Sequence, residues 1–358
     1  MNNLDKIEDL LAFDKKRVYE SITLFGEQIE QAYNEIGKLD IPKEYYQASN
    51  IVVAGMGGSA LGGRVVDSLI PQRVRVPIEV FTEFYIPNYV NQNSLVILSS
   101  YSGTTQETLR DALEALKKGA KIFVITTGGK LEEFAHKEGT PAYIFNPENN
   151  PSSQPRLALG YSVTAILALL GKCEYINLTN SEIKEVVSFV KSLIADYKRE
   201  NPEASNLAKK IAKDLRGYLP VIVTSEHLIG SCHAFKNQLN ETAKTFSVLF
   251  DIPELNHHLL EGLKNPMRLR ELVKFLIVES KLFTPEVSKR YPVTKEVIIK
   301  NGYPVITYEA LGKNRLLQVF ELIILSYFVA YYLAFLYQED PASIPWVDYF
   351  KSRLQDQY

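Results

Sequence analysis

Ile51-Val52-Val53-Ala54-Gly55-Met56-Gly57-Gly58-Ser59-Ala60-Leu61-Gly62-Gly63 and Leu95-Val96-Ile97-Leu98-Ser99-Ser100-Tyr101-Ser102-Gly103-Thr104-Thr105-Gln106-Glu107-Thr108 are two versions of one local event. In each, a short apolar, largely β-branched run suits a buried parallel strand, then gives way to glycine or hydroxyl residues. A helix pattern follows each break, from Arg64 to Leu69 and from Glu107 to Lys118. Parallel strands hold ligands at their carboxyl ends, where free backbone N–H groups at a helix start attract an anion. The two loops therefore define a site for a small phosphorylated molecule, built on two adjacent strand ends.

The first loop alone fits a second story. Gly55, Gly57 and Ala60 satisfy the G-x-G-x-x-G/A dinucleotide fingerprint, and Glu79 lies at a plausible distance for a ribose hydroxyl. The second loop argues against nicotinamide or flavin. Ser99, Ser100, Ser102, Thr104 and Thr105 open a helix with far more hydroxyls than one N-cap requires, even with Glu107 completing a capping box. A ring of hydroxyl and amide donors suits the three terminal oxygens of a phosphomonoester. A pyrophosphate needs close backbone approach instead.

With 358 residues the chain has room for two ordinary domains, and its 46% hydrophobic and 23% charged composition is that of a globular protein. A formal net charge of -2 offers no general attraction to nucleic acid or anionic membrane, so local groups must hold any anionic substrate. Cys173 and Cys232 are too few for a disulfide scaffold and lack metal-ligand spacing, which fits a reducing cytoplasm. The charged N-terminus shows no signal-peptide pattern. The most apolar run, Leu322 to Leu336, reads as a buried core helix rather than a bilayer span.

Residues 1–40 read mainly as helix. Candidate strands Ile51–Ala54, Ile78–Phe81, Leu95–Ser99, Ile122–Thr126 and Ala142–Phe145 then alternate with helical patterns, the signature of a parallel sheet covered on both faces. An apolar helix over Leu157–Leu170 and a longer one over Glu182–Arg199 close this half. The pattern restarts with a strand Leu219–Thr224, a helix reaching Lys244, a strand Leu272–Ser280, a helix Thr294–Lys300, a strand Tyr303–Tyr308 and a long helix Asn314–Tyr337. The expected fold is α/β: two doubly wound parallel-sheet domains, 47–200 and 201–358, behind an N-terminal helical segment, 1–46. Only the first half carries a hydroxyl-rich loop.

Gly-Met-Gly-Gly-Ser-Ala at 55–60 and Ser-Tyr-Ser-Gly-Thr-Thr-Gln-Glu-Thr at 100–108 resemble the sugar isomerase (SIS) domain. Three further motifs narrow the resemblance to the bifunctional phosphoglucose/phosphomannose isomerase family. They are Gln154-Pro155-Arg156-Leu157-Ala158-Leu159-Gly160, Gln238-Leu239-Asn240-Glu241-Thr242-Ala243-Lys244 and Pro253-Glu254-Leu255-Asn256-His257-His258. The resemblance implies two SIS domains packed together, a homodimer, and a phosphorylated hexose as substrate. It implies sugar contacts at Gly57, Gly58 and Ser59, and phosphate contacts at Ser100, Ser102 and Thr105.

Aldose–ketose interconversion moves a proton between C1 and C2 through a cis-enediol, and one carboxylate can accept it from C2 and return it to C1. Ring opening needs a second acid/base, for which His or Lys is suited near neutrality. This route calls for no metal and no cofactor. A lone glutamate near a helix end is ordinarily just solvated; the resemblance makes Glu241 the proton shuttle. It makes His257 the ring-opening group, although nothing intrinsic separates His257 from His258, and leaves open delivery across a dimer interface. Arg156 would stabilise charge on the enediolate, a role that suits a permanently charged guanidinium. Lys351, after Asp340-Pro341, would assist ring opening or bind substrate. His227 and His233 are six apart on one helical pattern, which misaligns them for a metal. Two rivals predict different outcomes: a non-catalytic SIS-type sugar-phosphate sensor needs the loop but not Glu241, His257 and Arg156 together, and an isomerase of amino-sugar or pentose phosphates would reveal itself in a substrate panel.

Overall fold

A computed structural model describes residues 3–70 and 73–355. The expected N-terminal helix is three: α1 (Ile7–Phe13), α2 (Val18–Thr23) and α3 (Phe25–Lys38). The break after α1 has a local cause. The Asp14 carboxylate accepts hydrogen bonds from Val18 N at 2.9 Å and Tyr19 N at 2.6 Å, holding the start of α2. The first α/β unit follows as β1 (Asn50–Gly55), α4 (Gly58–Leu69), β2 (Ile78–Phe81), β3 (Ser94–Ser99), α5 (Gln106–Lys117), β4 (Lys121–Thr126), α6 (Gly129–Glu138) and β5 (Ala142–Ile144). Helices α7 (Leu159–Lys172) and α8 (Asn180–Tyr197) complete it, the second held by a Thr179–Glu182 capping box.

The second unit opens with α9 (Leu207–Leu215), then β6 (Leu219–Thr224), α10 (Ile229–Glu241) and β7 (Val248–Asp251). Short helical turns α11 (Leu259–Gly262) and α12 (Leu269–Leu272) lead to β8 (Val273–Glu279). After it come α13 (Pro285–Ser288), α14 (Arg290–Lys300), β9 (Val305–Glu309), α15 (Arg315–Tyr337) and α16 (Pro345–Gln355). Sequence reading missed α9, β7 and α16. The Lys-rich α9 has a short apolar face and is started by Asn206, whose side chain accepts from Lys209 N. Strand β7 has four residues at a sheet edge.

Every strand pair is parallel. Sheet A runs β2-β1-β3-β4-β5 and sheet B runs β7-β6-β8-β9, so B repeats the first four positions of A. The long helix α15 is the shared core. Its 23 residues would be long enough to cross a bilayer, but from Leu316 to Leu336 every one is buried inside this chain. That is the buried core helix expected from its composition, and over those residues it leaves no face for a subunit interface. Its one carboxylate, Glu321, is satisfied by Tyr308 Oη–H, by Leu311 N at 2.7 Å and by Gly312 N at 2.8 Å. A buried carboxylate without such donors would destabilise the fold by several kcal/mol or take up a proton.

Candidate active site

Strand β3 delivers Ser100 to the top of sheet A, beside the end of β1. The loop that follows is tied to itself. Ser100 Oγ and Thr105 Oγ1 are 2.9 Å apart, Ser100 Oγ accepts from Gly103 N at 3.1 Å, and Ser102 Oγ lies 3.0 Å from Thr104 Oγ1. Gly103 has φ of 66°, and a Cβ there would sit 1.7 Å from Gly128 O, so only glycine fits. Thr105 is the N-cap residue of α5, yet its side chain makes no capping bond. The loop hydroxyls are thus not spent on the helix, and the first-turn amides of α5 remain available to an anion. The first loop joins the second through Ser59, whose Oγ accepts from Tyr101 N at 3.0 Å.

The opposite wall comes from sheet B. Helix α10 leaves the carboxyl end of β6 and runs back over 13 residues, about 20 Å, ending at Glu241 beside the edge where the strands of sheet B begin. The top of sheet A therefore meets the bottom of sheet B. Arg156, in a 3-10 turn over Pro155–Leu157, ties the two together while only 2% exposed. Its Nε donates to Thr242 Oγ1 at 3.1 Å and its Nη1 to Gln154 Oε1 at 2.8 Å. Its Nη2 donates to Pro341 O at 2.7 Å and Ala342 O at 2.9 Å. Gln238 Nε2 donates to the Arg156 carbonyl at 2.7 Å, so α10 holds both ends of the residue. Gly58 packs on the same backbone: a Cβ there would lie 3.1 Å from Arg156 N.

Arg156 Nη1 stands 3.9 Å from Glu241 Oε2. That is close enough for strong attraction and too long for a hydrogen bond, so the carboxylate keeps its lone pairs for another proton. Burial raises the Glu241 pKa above the ordinary carboxylate value, and Arg156, Lys351 and Lys244 pull it partly back. A carboxylate whose pKa is raised this way is a stronger base than a solvated one. Lys351 lies on the exposed helix α16, near enough for its charge to be felt at Glu241.

His257 is elsewhere. It follows β7 past the edge where the strands of sheet B end, exposed, on a turn anchored by Asn256 Nδ2 to Thr294 Oγ1 at 2.7 Å. Glu241 and His257 occupy opposite ends of one domain. His227 is buried, its Nε2 bonded to Gln318 Oε1 at 2.8 Å, in keeping with a structural role. Glu79 accepts a hydrogen bond from the Tyr89 hydroxyl at the sheet edge.

Sequence reasoning missed Gln154 and Thr242, which fix the guanidinium, Gln238, which holds the Arg156 carbonyl, and the Pro341 and Ala342 carbonyls that receive the guanidinium. Gln154, Gln238 and Thr242 stand inside quoted motifs, a signal available but unread; the carbonyls come from the far end of the chain, and a backbone contact leaves no trace in residue type. It also missed Lys244, with φ of 50°. A non-glycine residue in that left-handed region loses about 1–2 kcal/mol.

A hydroxyl-lined anion loop facing a buried cation and a tuned carboxylate, on paired parallel sheets, defines a phosphosugar-handling protein of the SIS fold. Comparison agrees: residues 44–170 match the SIS domain and residues 204–354 match the bacterial phospho-glucose isomerase C-terminal SIS domain. A bifunctional phosphoglucose/phosphomannose isomerase from Caldicellulosiruptor bescii is 36% identical over 95% of this chain and 99% of its own. One from Thermoplasma acidophilum is 32% identical over 86% of this chain and 90% of its own. A solved hypothetical protein from Thermus thermophilus shares the fold at a TM-score of 0.76, with 17% identity, covering 97% of this chain and 92% of that one. The chain belongs to the bifunctional phosphoglucose/phosphomannose isomerase family.

Proposed function

We propose that this protein interconverts glucose 6-phosphate and mannose 6-phosphate with fructose 6-phosphate through a cis-enediol, without a metal. The observation that carries the proposal is the Glu241 carboxylate, held 3.9 Å from a buried guanidinium whose backbone packs on Gly58 of the sugar-phosphate loops. Ser100, Ser102, Thr105 and the first-turn amides of α5 take the phosphate, and Gly57, Gly58 and Ser59 line the sugar. Glu241 carries the proton between C2 and C1. Arg156 offsets the negative charge that builds on the enediolate oxygens. Glucose and mannose phosphates differ only at the carbon being deprotonated, so one base serves both if the C2–C3 bond turns.

Ring opening falls to His257 of a second subunit, assisted by Lys351. Separation of His257 from Glu241 within one chain supports a homodimer in which each site borrows the partner's imidazole. The outer face of α16, with Trp346 81% exposed and Phe350 62% exposed, supports the same assembly. Two buried free thiols suit a cytoplasmic location.

The test is turnover of both aldose phosphates by chelator-treated protein in an assay coupled to fructose 6-phosphate. Activity on both supports the proposal. No turnover with retained sugar-phosphate binding moves the reading to a sensor or another phosphosugar. Mixing two inactive variants, Glu241→Gln and His257→Ala, tests the shared site: each heterodimer regains about half of the activity, and a randomly reassorted mixture about a quarter, if His257 acts in trans, because one of two sites is then intact.

A further inference from the structure

Lys244 is the one charged residue of the Glu241 motif to which the proposed chemistry gives no task. It occupies a left-handed backbone position, φ 50°, two residues past the C-cap Thr242 of α10, a conformation that only glycine adopts without strain. Backbone strain of this kind persists where the side chain is held by its surroundings. Here the holding contacts are explicit. Lys244 Nζ donates to Thr242 O at 3.2 Å, at the carboxyl end of α10, and to Asp340 O across the cleft. The next two carbonyls of that strap, Pro341 O and Ala342 O, receive Arg156 Nη2.

Two cations thus grip three consecutive carbonyls from either side. The strap leads directly into α16, which bears Lys351, and its far end pins the guanidinium facing Glu241. We infer that Lys244 is a positioning residue for the isomerisation: it clasps the 340–342 strap so that Arg156 and α16 stay aligned with Glu241. The inference rests on the isomerase reading above for its catalytic consequence, and on geometry alone for the clasp. Burial and the nearby Arg156 push the Lys244 ammonium down to about 8, against the pull of Asp340, Glu339 and Glu241, so it is still charged at pH 7.

Substitution separates the clasp from the fold. Lys244→Gly relieves the left-handed strain and removes the ammonium, whereas Lys244→Arg keeps donors and charge. In Lys244→Gly we expect an unchanged or higher melting temperature and amide exchange over residues 339–355 faster by at least about tenfold. We also expect kcat for glucose 6-phosphate lowered about tenfold or more, with KM held within about twofold because the phosphate loop is untouched. Lys244→Arg should restore both exchange protection and kcat. Unchanged exchange over 339–355 in Lys244→Gly overturns the clasp. A raised KM at constant kcat overturns positioning in favour of direct binding, and failure of Lys244→Arg to restore either property also overturns it. Exchange is read without substrate, so absence of wild-type turnover would count against the isomerase reading and leave the clasp to be judged on exchange.

Discussion

Sheets A and B have the same strand order over four positions, yet the cleft uses opposite ends of them. Sheet A presents the carboxyl ends of β1 and β3, where loop hydroxyls and helix amides gather. Sheet B presents the end where its strands begin, and with it the last turn of α10. The corresponding carboxyl end of β6 shows why the roles are not interchangeable. Ser225, just past β6, donates to Ile252 O at 2.7 Å and lies 2.9 Å from Tyr291 Oη, fully buried. A hydroxyl already satisfied inside the protein has nothing to give a phosphate. Duplication of a fold therefore does not duplicate its site: on the proposed function, one copy binds and the other turns its back and supplies the base.

Apart from loss of Glu241 itself, the largest expected blow to this division is Arg156→Lys. An ammonium has three donors and no fork to replace the guanidinium contacts to Thr242, Gln154, Pro341 and Ala342. Loss of one charge-stabilising group commonly lowers kcat by about 10²–10³, and that range is expected here in steady-state kinetics. Next come the two serines in parallel positions. Ser100→Ala should raise KM about tenfold with a smaller change in kcat, whereas Ser225→Ala should leave KM unchanged and lower stability by about 1 kcal/mol in urea unfolding. A matching rise in KM for both would break the asymmetry.

The smallest effect concerns α5, the helix that follows the hydroxyl-rich loop. Asp111 in α5 is 1% exposed with one carboxylate oxygen unpartnered, and burial, reinforced by Glu114 and Glu107 against Arg110, raises its pKa to about 7. Its ionised form is disfavoured in the folded state, so its cost to stability is absent below about pH 4 and complete above about pH 7. Asp111→Asn should therefore stabilise the protein at pH 8 by about 1 kcal/mol and bring little gain at pH 4, measured by urea midpoint. An equal gain at both pH values would mean that charge is not the cause.

Much of sheet A was legible because its strands are short β-branched runs ending at Gly55 and Ser99, where composition changes abruptly. Glu241 and Arg156 were legible only through motifs, since nothing in a lone glutamate or arginine announces a partner across the fold. The structure adds what local sequence cannot carry: that α10 returns Glu241 to the end of sheet B opposite His257, and that carbonyls of residues 341 and 342 secure an arginine at 156. Helix α16 escaped notice because its apolar residues, Trp346, Tyr349 and Phe350, face outward and do not trace a core-facing stripe. Lys244 escaped because strain is a property of a dihedral angle, not of a residue type.

The central claim is that binding belongs to sheet A and proton transfer to Glu241. Its most direct test is Glu241→Gln, followed by exchange of the C1 proton of fructose 6-phosphate with deuterated solvent alongside its binding constant. The account predicts binding within about threefold of wild type and exchange slowed by about 10³ or more, since a positioned base typically supplies 10²–10⁴. Exchange at an undiminished rate in a folded Glu241→Gln protein would contradict it.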